Sequence, residues 1–143
     1  MSVRQVSPRE AITEWDFYER MIGKILRRAD VGSTTEDVLT CLQSGKMQLW
    51  RDATRKGIAV TQIQVYPLFK VLLIFMVAGR DVQDWLKDGH QQLDSFARDS
   101  GCKYMDFIGR KGWAKLVREF GYDKEFIWLR RTVECSEATA KQV

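Results

Sequence analysis

The residues whose types and spacing suggest chemistry lie mostly in GRKGWAKLVREFGYDKEFIWLRR, residues 109–131. Arg110, Lys111, Lys115 and Arg118 recur at close to helical spacing, a pattern able to grip the phosphates of a nucleic acid. Glu119, Asp123 and Glu125 stand beside them, so a solvated helix face of mixed charge accounts for the same residues. Gly79-Arg80, just ahead of a helix start, is a second candidate, because unpaired N–H groups and the helix dipole there favour an anion. Asp81 follows at once and reads as an ordinary N-cap. Cys41, Cys102 and Cys135 are odd in number, show no CxxC spacing and have only His90 as an imidazole partner. Neither a disulfide framework nor a metal site is written in them. Cys102 reads as a small core residue and His90, in a helix rich in Asp and Gln, as an exposed one.

The elements that must position these groups follow from periodicity. Ser7-Pro8-Arg9-Glu10 has the form of a capping box, and Ile12, Trp15, Tyr18, Met21, Ile22, Ile25 and Leu26 then predict one helix to about Ala29. Ser33-Thr34-Thr35-Glu36 has the same form and opens a short helix that stops at Gly45. From Lys46 the period shortens: Met47 and Leu49, then Ile58, Val60 and Ile63, flank a polar turn around Asp52 to Lys56 and predict an antiparallel hairpin. Pro67 ends its second strand, and FKVLLIFMV, 69–77, is apolar on both faces like a covered central strand. A helix from Asp81 to Gly101, a short strand in CKYMDFIG, a helix from about Arg110 to Phe120 and a final strand from Glu125 to Val133 complete the order ααβββαβαβ. In the last helix Trp113, Leu116, Val117 and Phe120 form the core-facing stripe.

The expected fold is therefore α/β (α+β): a mixed, largely antiparallel sheet of about five strands with helices on both faces. At 143 residues with 45% hydrophobic and 29% charged side chains, residues 1–134 read as a single domain and 135–143 as a frayed polar tail. A net charge of +4, from 23 basic against 19 acidic residues, permits a nucleic-acid partner without implying one. The longest apolar run, VLLIFMVA, is too short to span a bilayer, so no membrane role is expected and the cytoplasm is the expected compartment. Trp50, Trp85 and Trp128 exceed the needs of a small core, and any that is exposed marks a partner surface.

This order of elements is similar to that of the GNAT N-acetyltransferases, without their first strand. Ala114-Lys115-Leu116-Val117-Arg118-Glu119-Phe120-Gly121-Tyr122 resembles the family's A-x-x-L-Y-E-x-x-G-F helix end. The RKGW helix followed by FGY also resembles small acetyltransferase-like proteins of tailed phages. The resemblance implies coenzyme A pyrophosphate held by an R/Q-x-x-G-x-G/A loop, and the corresponding residues are 77–82. Gly79 and Arg80 are what this loop retains, while Asp81 repels phosphate. The family's proton-donating tyrosine falls on Val117, which has no proton to give.

Retained architecture with a degenerate site implies a non-catalytic assembly or internal-virion protein. Its expected partners are other virion proteins, it needs no cofactor, and it lies in the host cytoplasm or the virion. The alternative that the resemblance allows is an acetyl-CoA-dependent N-acetyltransferase with Tyr104 or Tyr122 as proton donor and Asp106 as base. A weaker one is a nucleic-acid module built on Arg110, Lys111, Lys115 and Arg118.

Overall fold

A computed structural model of the chain describes residues 3–29, 32–126 and 128–134. Five strands form one sheet in the order β1-β2-β3-β4-β5. They are β1 (Val3–Val6), β2 (Met47–Asp52), β3 (Gly57–Val65), β4 (Lys70–Gly79) and β5 (Tyr104–Phe107). All neighbours are antiparallel except β4 and β5, which run parallel and are joined by a crossover helix. Helices α1 (Pro8–Thr13), α2 (Trp15–Ala29) and α3 (Thr35–Gln43) precede β2, α4 (Leu86–Asp99) links β4 to β5, and α5 (Lys111–Arg118) follows β5. The sheet is thus mixed and mostly antiparallel, as expected, although its five strands are not the five predicted.

The first strand is present after all. Val3 and Val6 are both buried but lie an odd number of residues apart, so they enter opposite faces of the sheet, and Arg4 and Gln5 between them hide any alternation. At the other end, the described residues of 122–134 form no strand where one was predicted at Glu125–Val133, and Ile127 lies outside the described residues. The predicted tail, 135–143, lies outside the described residues. The single long first helix is two: the chain breaks at Glu14, whose N–H turns back to the carbonyls of Glu10 and Ile12. Ser7 caps the Glu10 N–H as expected, yet the Glu10 side chain bonds Arg4 instead of closing the box. The second capping box is complete but shifted by one residue, between Thr34 and Asp37.

Two cores lie on the two faces of the sheet. Tyr18, Ile22, Val38 and Leu42 from the α1–α3 side meet Leu49, Ile58, Val60 and Met76. On the other side Trp85, Leu93 and Ala97 meet Val3, Trp50, Leu72 and Ile74. Truncating a fully buried member such as Leu49 or Ile22 to alanine costs about 2–5 kcal/mol. β4 contributes to both cores because Val60 pairs with Met76 while Thr61 pairs with Ile74, leaving Phe75 as the extra residue of a bulge. Leu72 and Ile74 therefore face α4, whereas Met76 faces α2.

Candidate functional site

The bulge lies where β5 leaves β4. Their pairing ends at Ile74 and Phe107, and one more bond, from the Ile108 N–H to the Ile74 carbonyl at 2.9 Å, closes the contact. From Phe75 to Gly79, β4 keeps β3 on one edge and has no strand on the other among the described residues. An opening in the sheet results, roofed by the start of α4 and by α5.

Aromatic rings fill that opening. Trp85 is buried, with its ring centroid 6.4 Å from Trp113, which is in turn 6.2 Å from Phe107. Behind them Tyr122 lies 6.4 Å from Phe107, and the His90 ring stacks on Phe120 at 4.5 Å. The His90 Nε2 and the Tyr122 hydroxyl share a hydrogen bond of 3.2 Å. A cavity of about 50 Å³ remains, lined by Ile74, Val77, Trp85, Val117 and Tyr122 among others. Its walls are hydrocarbon and aromatic, so they offer packing and few polar handles.

The start of α4 departs from expectation. Asp81 does not cap the helix; it sits in the left-handed region at φ 51°, and its side chain makes no capping bond. A short 3₁₀ turn, Val82–Asp84, intervenes, and the α-helix begins after Trp85. The reason is charge pairing across the β2–β3 turn: Lys56 Nζ lies 3.3 Å from Asp81 and 3.2 Å from Asp84, and these two bonds raise the lysine's pKa. Gly79 is required by packing. A Cβ there would come within 2.4 Å of the Lys56 carbonyl and 2.9 Å of the Trp85 ring. The Arg80 N–H is spent on the Lys56 carbonyl at 3.0 Å, and the Arg80 carbonyl accepts the Trp85 indole N–H at 2.8 Å.

The predicted site residues divide sharply. Tyr122 reaches the cavity, and burial, helped by Asp94 and Asp106, raises its pKa above the ordinary tyrosine range. Tyr104 stands opposite Val71 at the closed end of the β4–β5 pair, about 10 Å along the strand from Phe107. It is half exposed and packs on Phe69. Asp106 is exposed, one position from Phe107 and so directed to the other face of β5. Arg110, Lys111, Lys115 and Arg118 are all exposed, with Lys111, Lys115 and Arg118 on the outer face of α5. Trp113, Val117 and Phe120 form its inner stripe, while Leu116, expected there, is 41% exposed. His90 is half-buried rather than exposed, and burial lowers its pKa. Cys102 packs on the α4 core as expected, and burial raises its pKa. Sequence reasoning missed Lys56 and the way Trp85 closes the loop; the signal for the latter was a large apolar residue six positions after Gly79.

No family model and no curated protein matches the sequence. Solved structures do match the fold. One described as a probable acetyltransferase superposes with a TM-score of 0.68 at 13% identity, covering 96% of this chain and 99% of its own. The chain has a GNAT-like fold. An aminoglycoside acetyltransferase from an uncultured soil metagenomic sample, in complex with sisomicin, gives 0.68 at 10% identity over 92% of this chain and 95% of its own. The aminoglycoside N-acetyltransferase AAC(6')-Iy, in complex with CoA, gives 0.67 at 13% identity over 93% and 94%. At these identities the likeness is one of fold. Among the described residues there is no cluster of potential metal ligands and no helix long and apolar enough to cross a membrane.

Proposed function

We propose that this GNAT-like domain is a binding and assembly module that does not carry out acyl transfer, and that it works as an assembly or internal protein of a phage virion. One observation carries the non-catalytic reading. At the α4 start, where the resemblance places a coenzyme pyrophosphate, the carboxylates of Asp81 and Asp84 surround Lys56, and Trp85 lies against Gly57 and Gly79. A diphosphate needs free N–H groups and positive charge. Here the Arg80 N–H is already bonded, two carboxylates flank the site, and the residues do not fit the group. Val117, buried on the inner face of α5 where the resemblance places the family's tyrosine, supports the same reading.

Calorimetric titration with acetyl-CoA tests it. No heat at millimolar ligand is the expected result; micromolar binding that is lost in Arg80→Glu overturns it in favour of an acetyl-CoA-dependent N-acetyltransferase. The virion role rests on the sequence resemblance, and its test is whether the chain co-purifies with particles from infected cells. An exclusively free, soluble chain in the lysate counts against it.

A further inference from the structure

β1 ends at Val6, opposite Leu49, so the first residues of β2, Met47 and Gln48, extend past it while β3 still pairs with them. At this step in the sheet edge lies a second cavity, of about 310 Å³, which shares no lining residue with the aromatic one. Gln5 pairs with Trp50, and Gln48 stands two positions before Trp50, so both belong to the α4 face, where Phe96 joins them. Ala11 and Leu42 line the cavity from the other core. It thus wraps the edge, and no charged side chain is among its walls.

A chain of hydrogen bonds sets the polar group of this cavity. The Trp50 indole N–H donates to the Thr61 hydroxyl at 3.0 Å, and that hydroxyl donates to the Gln48 Oε1 at 2.9 Å. An indole N–H only donates, so the direction of both bonds is fixed, and with it the orientation of the amide: the oxygen meets Thr61 and the NH₂ is the free end. Gln48 is 7% exposed, and its Nε2 carries two hydrogens but makes, among the described residues, one long bond of 3.4 Å to the Gly45 carbonyl. At least one N–H of a buried amide is left for an acceptor from outside the chain. The bonds behind it reinforce that donor.

The geometry points to a binding site for a small neutral carbonyl compound, whose oxygen accepts from the Gln48 Nε2 while its apolar body packs on Phe96, Leu42 and Pro8. An ion would lose its water here without meeting a counter-charge. The unused group is a donor, so the ligand presents an acceptor to it. The remaining walls are mostly hydrocarbon, and the volume is that of a small ligand pocket. The inference is independent of coenzyme binding.

Proton–nitrogen NMR of the full chain titrated with N,N-dimethylbenzamide tests it. Shifts that saturate at millimolar ligand are expected at the Gln48 side-chain NH₂ and the Trp50 indole N–H, the two ends of the bonded chain, and not at Trp85 or Tyr122. Gln48→Met keeps the length of the side chain without its donor and should weaken this amide by about tenfold. Isobutylbenzene, which has no carbonyl, should behave alike with both proteins. Gln48→Glu keeps the oxygen for Thr61 and replaces the NH₂, and it makes the same comparison if the methionine variant does not fold. An absence of shifts in the parent chain overturns the inference. So do shifts confined to the aromatic cavity, or equal affinity of parent and variant for the amide.

Discussion

The Trp85 indole N–H donates to the Arg80 carbonyl at 2.8 Å while its ring lies over Gly57 and Gly79, so one side chain closes the loop that opens α4. The strand ends and the helix start meet on this residue. Trp85→Ala removes the bond and a buried aromatic together and should cost about 3–5 kcal/mol in chemical denaturation. Gly57→Ala drives a methyl into the same ring, 2.4 Å from its nearest carbon, and should cost about 1–3 kcal/mol by overpacking. If Gly57→Ala were neutral, the ring would not be seated where it is described.

Charge at the same loop leads to a binding prediction. Asp81 and Asp84 are half exposed and pair with Lys56. Asp81→Asn with Asp84→Asn leaves the lysine unopposed at a helix start. Inorganic pyrophosphate should then bind more tightly than to the parent chain, by several-fold at low salt and with a clear loss as salt rises. Calorimetry with both proteins checks this. Equal affinity would mean that the acids are not what excludes the anion.

His90 supplies a pH dependence. Burial lowers its pKa in the folded chain, so between that value and the unfolded value of about 6.5 the unfolded state binds more protons. Unfolding free energy should therefore be level above about pH 6.5 and fall on acidification below it. Asp52 and Glu10, whose pKa values are lowered, act only at more acid pH. His90→Phe keeps a ring on Phe120 and removes the titration, so urea denaturation between pH 5 and 8 should lose that slope.

These predictions draw on features unequally visible in the sequence. The β2–β3 hairpin, the covered strand β4, the stop at Gly45 and the inner stripe Trp113, Val117 and Phe120 are local patterns, and they appear where the residues place them. β1 escaped because two valines on opposite faces give no period over four residues. The Asp81 cap failed because Lys56, 25 positions earlier, takes its carboxylate. A strand expected at 125–133 rests on composition alone, which is local, whereas a strand needs a paired edge, and the described residues of that stretch pair with none. His90 looked solvated from its neighbours in sequence, whereas Phe120 and Tyr122 reach it only through the fold. The candidate site was thus half legible: Val117 and Gly79 could be singled out, but the aromatic filling could not.

Val117 gives the last prediction. It is 7% exposed and lines a cavity of about 50 Å³ between α5 and the sheet. Restoring the tyrosine that the GNAT resemblance expects adds a ring and a hydroxyl to a wall of hydrocarbon. A tyrosine ring exceeds the space that a cavity of about 50 Å³ leaves, and its hydroxyl enters a largely apolar lining. Val117→Tyr should therefore lower stability by about 1–3 kcal/mol and bring no acetyl transfer to amine acceptors. Lys115→Glu, on the outer face of the same helix, should change stability by less than about 0.5 kcal/mol. Denaturation of both variants with an acetyl-CoA turnover assay separates the outcomes. A stable Val117→Tyr chain that acetylates an amine would show that the cavity was the remainder of a working site.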